Sequence, residues 1–151
     1  MSLASFTHEV EIHVELARLY EFLCNLDNYT ALHPLIESIE ELPRADALPN
    51  ARRYRVTDRI ALGPLRMKAV YTAALDPVSP HEVHGHAWQS PGIRLITVYT
   101  LREVAGAVLL KETVSVRAPW LLRRFVTHQA EASHRETLVK MKALLEAQGD
   151  G

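Results

Sequence analysis

One cysteine in 151 residues, Cys24, excludes an internal disulfide and any zinc site built from several cysteines, and it fits a reducing compartment. Charge of one sign is also lacking. Lys plus Arg total 17 against 18 Asp plus Glu, a formal net charge of -1, so no overall field draws the chain to nucleic acid or an anionic membrane. No apolar run approaches the ~18 residues of a membrane span. The opening residues 1–10 alternate polar and apolar side chains where a secretory signal would set a basic region before an apolar stretch. Glycine-rich phosphate loops and the glycine-framed serine of hydrolases are absent as well, which disfavours nucleotide enzymes and that class of hydrolase. The expectation is a cytoplasmic protein with no nucleic-acid partner, no stable membrane insertion and no cofactor.

What the chain does have is 48% hydrophobic residues, enough to bury a core within one domain over residues 1–151. Residues 6–14 alternate Phe6, His8, Val10, Ile12 and Val14 with polar neighbours, the period of a half-buried strand. From Glu15 the spacing lengthens to that of a helix, through Leu16, Leu19, Tyr20 and Leu23, until residues 25–28 break it. A second short helix or turn is expected over 29–36, limited by Pro34. Strand-like runs follow at 38–42, 53–61, 65–75, 82–89, 93–103 and 107–117, with Pro, Gly and Asp punctuation between them, including 76–80. Connections this short imply an antiparallel meander, because parallel neighbours need crossovers. From Pro119 to about residue 148 the pattern is that of a long amphipathic helix.

A sheet of about seven strands must cover its apolar face, and the terminal helix is the only long element for it. At ~45 Å long and ~10 Å across, such a helix cannot fill a wide curved sheet, and the space beside it is a candidate cavity. The order of elements, with the opening VEIHVELARLYEFLCNLDNYTALHPLIESIE and the closing VSVRAPWLLRRFVTHQAEASHRETLVKMKALLEA, resembles the START-like (SRPBCC) superfamily and its polyketide cyclase/dehydrase and lipid-transport types. The resemblance implies an α+β helix-grip fold, with a curved antiparallel sheet around a C-terminal helix, two short helices after strand 1 and a ligand cavity. The glycine-rich loop of the plant pathogenesis-related branch does not appear between Arg53 and Leu75.

Alternation assigns faces. Tyr54, Val56, Asp58 and Ile60 point inward, as do Met67, Ala69, Tyr71 and Ala73, then Leu95, Thr97, Tyr99 and Leu101, and finally Leu110, Glu112, Val114 and Val116. Asp58 and Glu112 are thus two acids on apolar faces. Each is either a general acid or base for a ligand, or a structural partner of an arginine, histidine or helix end. His84, His86 and Trp88 share one side of a strand, on the outer face or at the cavity wall. A metal would need a third ligand that nothing in sequence fixes, so none is expected. His128 and His134 lie on different faces of the long helix, with a solvated or capping role as the default. Cys24 reads as a packed core residue. The arginines at 52, 53, 55 and 59, with 117, 123 and 124, form either a basic patch or the solvated side of strands.

Three functions remain open. The first is a carrier or binding protein for a lipid, isoprenoid, quinone or polyketide-like molecule held by Tyr54, Tyr71, Tyr99, Leu110, Phe125 and Gln129, with His86 and Trp88 beside them. The second is a cyclase or dehydratase that uses Asp58 or Glu112, without metal or nucleotide. The third is a protein-interaction module with a vestigial cavity. A homodimer is compatible with each.

Overall fold

The computed structural model describes residues 2–149. β1 (Ser2–Ile12) is followed by α1 (Leu16–Leu23) and a 3-10 turn at Leu26–Tyr29. Then come β2 (Ile36–Leu42), β3 (Arg52–Leu62), β4 (Leu65–Ser79), β5 (Glu82–Gln89), β6 (Ile93–Val104), β7 (Ala107–Ala118) and α2 (Trp120–Gly149). The second short helix or turn expected over 29–36 is present as the 3-10 turn but begins earlier, at Leu26, where the Asn25 side chain accepts the Asp27 N–H at 3.1 Å and caps it. β1 is also shifted from the expected 6–14.

The strands form one antiparallel sheet in the order β1-β7-β6-β5-β4-β3-β2. β2 to β7 pair in sequence, and β1 adds to the far side of β7, with Ser2 opposite Ala118 and Ile12 opposite Val108. β4 runs on to Ser79 through residues expected to separate two strands. A register shift between Pro77 and Ser79 accommodates the proline, which has no N–H to give to the ladder. The curled sheet wraps α2 on its concave side, the helix-grip arrangement.

α2 does not press on the sheet evenly. Its C-terminal half buries Leu138, Met141 and Leu145 against Ile12, Leu19, Leu23, Tyr54 and Leu110. Mid-helix, Ala130 meets a smaller cluster of Phe6, Val114 and Val116. Toward its start, Trp120, Leu121 and Phe125 are exposed. The helix is therefore clamped at one end and stands off the sheet at the other. The arginines of β3 resolve in favour of local pairing, since Arg52, Arg55 and Arg59 each bond a glutamate of β2, namely Glu41, Glu40 and Glu37.

Between β6 and β7 the chain reverses in two residues, Ala105 at φ 47° and Gly106 at φ 83°. Both are left-handed, as the twist of a tight hairpin requires, but alanine occupies that region at a cost of about 1 kcal/mol. Ala105→Asn should raise stability by roughly 0.5–1 kcal/mol. A higher urea midpoint at unchanged slope is the expected result, and an unmoved midpoint contradicts the strain.

Candidate functional site

The space under the raised half of α2 is a cavity of about 690 Å³. Strand register explains its walls. Leu75 faces Gly85, which faces Thr97, while Ala73 faces Ala87, which faces Leu95, so between the two leucines Ala73, Gly85, Ala87 and Thr97 offer little bulk. Gly85 leaves room that even a methyl group would occupy without clash, at 3.5 Å from Thr97 Cβ. Opposite stand Leu122, Phe125, Val126 and Gln129 of α2, and the closed end carries Tyr29, His33 and His134. Met67, Val70 and Phe125 both line the cavity and are exposed, which places them at its mouth.

Two polar poles interrupt this apolar lining. The first is Asp58 of β3, 7% exposed, with Tyr71 of β4 as its hydrogen-bonding neighbour and Oδ1 unpartnered. Burial pushes its carboxyl up to about 6, against the pull of Tyr71. Burial likewise holds the Tyr71 hydroxyl well above the usual tyrosine range.

The second pole is built on Glu112 of β7, 2% exposed. Its Oε2 lies 3.0 Å from Nδ1 of His134 on α2, and its Oε1 is 3.8 Å from Nδ1 of His8 on β1. Tyr99 sits across from it on β6. Burial alone would lower the His134 value, but the charge and hydrogen bond of Glu112 outweigh it and raise the imidazole above the ordinary histidine range. His33, on the turn before β2, makes an edge contact with His134 at 6.2 Å between ring centroids. Burial, helped by His134 and Lys140, lowers its value to about 3, so it is neutral. Tyr29 closes the pole, its hydroxyl donating to the Leu23 carbonyl at 3.0 Å.

The expected site residues divide accordingly. Asp58, Tyr71, Tyr99, Phe125 and Gln129 line the cavity. Glu112 does not; it lies behind His134. Tyr54 and Leu110 point inward as expected but belong to the packed core at the clamped end, where the Tyr54 hydroxyl accepts the Leu26 N–H at 3.4 Å. Trp88 is on the outer face, and His86, although it borders the cavity, has its ring stacked on Trp88 at 5.5 Å. Arg94 lies over the other ring of that pair, 5.7 Å from the Trp88 centroid. The inner side of β5 is formed instead by Gly85, Ala87 and Gln89. Cys24 packs at the margin of the core, and burial raises its thiol.

Tyr29, His33 and His134 were not singled out as site residues by sequence. A signal for His134 was present, because it falls on the stripe Ala130, Leu138, Met141 and Leu145 that α2 turns to the sheet. His33 sits on an irregular turn, where no periodicity applies. Among the described residues, no three His, Cys, Asp or Glu side chains are placed to hold a metal ion, and no helix is long and apolar enough to cross a membrane.

No family model and no curated protein matches this sequence. Solved structures match its shape. The di-domain aromatase/cyclase StfQ of the steffimycin biosynthetic pathway superposes at a TM-score of 0.78 with 11% identity, over 99% of this chain and 52% of that one. The ZhuI aromatase/cyclase of Streptomyces sp. R1128 gives 0.70 at 13% identity, over 99% and 94%. A START superfamily protein of Mycobacterium smegmatis gives 0.73 at 13%, over 95% and 98%. The chain thus shares the helix-grip fold of these proteins.

Asp58 makes stability depend on pH in a direction that can be checked. Its folded value lies above the ordinary 3.8, so between about pH 4 and 6 the folded chain binds this proton more tightly than the unfolded chain does. Stability therefore falls as pH rises through that window, and above it the ionised, buried carboxyl costs about 3 kcal/mol. Asp58→Asn should be more stable than the parent by about 1–3 kcal/mol near pH 8 and equal to it near pH 4. Equal stabilities at both values in paired denaturation curves would show that Asp58 titrates normally.

Proposed function

We propose that the protein binds a hydrophobic small molecule, of lipid, isoprenoid, quinone or polyketide-like kind, in the cavity between the sheet and α2. The carrying observation is a space of about 690 Å³ with mainly apolar walls and two confined polar poles. That size lies within the ordinary range of small-molecule sites. Burying ~300 Å² of apolar ligand surface contributes about 7 kcal/mol before the cost of lost ligand freedom. Few polar contacts are then needed, and the two poles supply orientation. A carrier or binding protein in the cytoplasm is the simplest role of this kind.

One observation favours an enzymatic version of the same site. A carboxyl pushed up to about 6 exchanges its proton readily near neutral pH, and Asp58 presents it to the cavity beside Tyr71. In a cyclase or dehydratase, apolar walls would fold the substrate chain while Asp58 gave or took a proton. Two of the three structural neighbours described above are aromatase/cyclases, which supports this version without assigning a substrate.

Filling the hollow tests both versions. In Ala87→Trp an indole occupies the space beneath α2, and uptake of the neutral fluorophore N-phenyl-1-naphthylamine should drop at least about tenfold while thermal unfolding stays cooperative. Gly85→Ala, which adds one methyl at ordinary contact distance, should bind nearly as the parent does. Equal uptake by the parent and Ala87→Trp would place the binding surface elsewhere.

A further inference from the structure

Glu112 and His134 resemble the orienting half of a proton-transfer site, but the buried carboxylate is not what a ligand would meet. To hydrogen-bond a carboxylate, Nδ1 of His134 must carry its proton, which leaves Nε2 as the atom available to the cavity. In the neutral ring that nitrogen is an acceptor. His33 has the opposite arrangement. Its Nδ1 accepts the Leu35 N–H at 3.4 Å, so its proton is on Nε2, a donor. Both residues line the cavity, with ring centroids 6.2 Å apart. An acceptor and a donor from different elements therefore border one end of a mainly apolar space.

We propose that His33 and His134 form a binding site for an acidic hydroxyl, phenolic or enolic, on an otherwise apolar ligand. The hydroxyl hydrogen points to Nε2 of His134, and the oxygen accepts from Nε2–H of His33. If the proton moves, the O–H bond breaks and an N–H bond forms on His134, giving an imidazolium that Glu112 stabilises through Nδ1. The oxygen keeps the electron pair and remains hydrogen-bonded to His33. No further reactant is required. A ketone or ether at the same place finds only one of its two partners, and the other is left buried and unpaired. The lowered His33 value keeps that ring neutral, as its donor role requires, and the raised His134 value marks the more basic ring, which accepts in its deprotonated form, at pH above that value.

The proposal rests on the hydrophobic cavity described above and is separable from it. 2-Naphthol and 2-methoxynaphthalene differ only at the oxygen, and each can be titrated against bound N-phenyl-1-naphthylamine. The expected result is a preference for the hydroxyl compound of about tenfold or more. In His33→Phe that preference should collapse toward unity with affinity for the ether preserved. His134→Gln should act likewise, but it strips Glu112 of its partner and threatens folding, so His33→Phe, which leaves the Glu112–His134 hydrogen bond in place, carries the test. If both compounds displace the probe equally from the parent, or if the preference survives His33→Phe, the imidazole pair is not the site. If neither displaces it, the cavity reading falls too.

Discussion

A carboxylate in the middle of an apolar sheet face must be met by something, and Glu112 is met by His134. Removing an ion from water costs several kcal/mol, and leaving one buried without a partner costs about 3–5 kcal/mol. α2 consequently cannot slide freely over the sheet. A shift of one turn in either direction would bring Ala130 or Leu138 to Glu112 and strand the charge. With that register set, Leu138, Met141 and Leu145 drop into the clamped end, and the first turns of the helix project over the strands where Ala73, Gly85 and Ala87 leave space.

The same pin explains why the hollow persists. Cores normally pack to crystal-like density, and an apolar void is a loss of contacts. Here the small side chains on two adjacent strands, β4 and β5, leave the space unfilled, while the Glu112–His134 hydrogen bond and the C-terminal clamp keep the helix from descending. The buried Asp58 adds a further cost at neutral pH. Structural expense concentrated around one space is the pattern of a site kept for use, at the expense of stability.

Much of this was legible from alternation and punctuation. The faces of β3, β4, β6 and β7 follow from where Arg53, Lys68, Arg94 and Lys111 fall, and both inward acids were found that way. Alternation gives a side of the sheet, however, and not a position along α2. Tyr54 and Leu110 point the same way as Tyr71 and Thr97 but meet the clamped end, so they are core rather than cavity. β5 was ambiguous because Gly85 and Ala87 carry no strong apolar signal on its inner side, while His86 and Trp88 are bulky on its outer side. For His134 the useful comparison is not with His128 but with Glu112, the acid it hydrogen-bonds across the two layers.

The placement of β1 has a consequence for how the cavity comes into being. Its ladder partner is β7, with Phe6 opposite Val114 and His8 opposite Glu112. On a growing chain β1 therefore waits for β7, and its ladder groups stay hydrated until β7 has left the ribosome. The floor beneath Glu112 and the helix that roofs the hollow arrive together, after every hairpin. A chain made only as far as β6 has no closed chamber, and the hollow takes shape only in the last folding step.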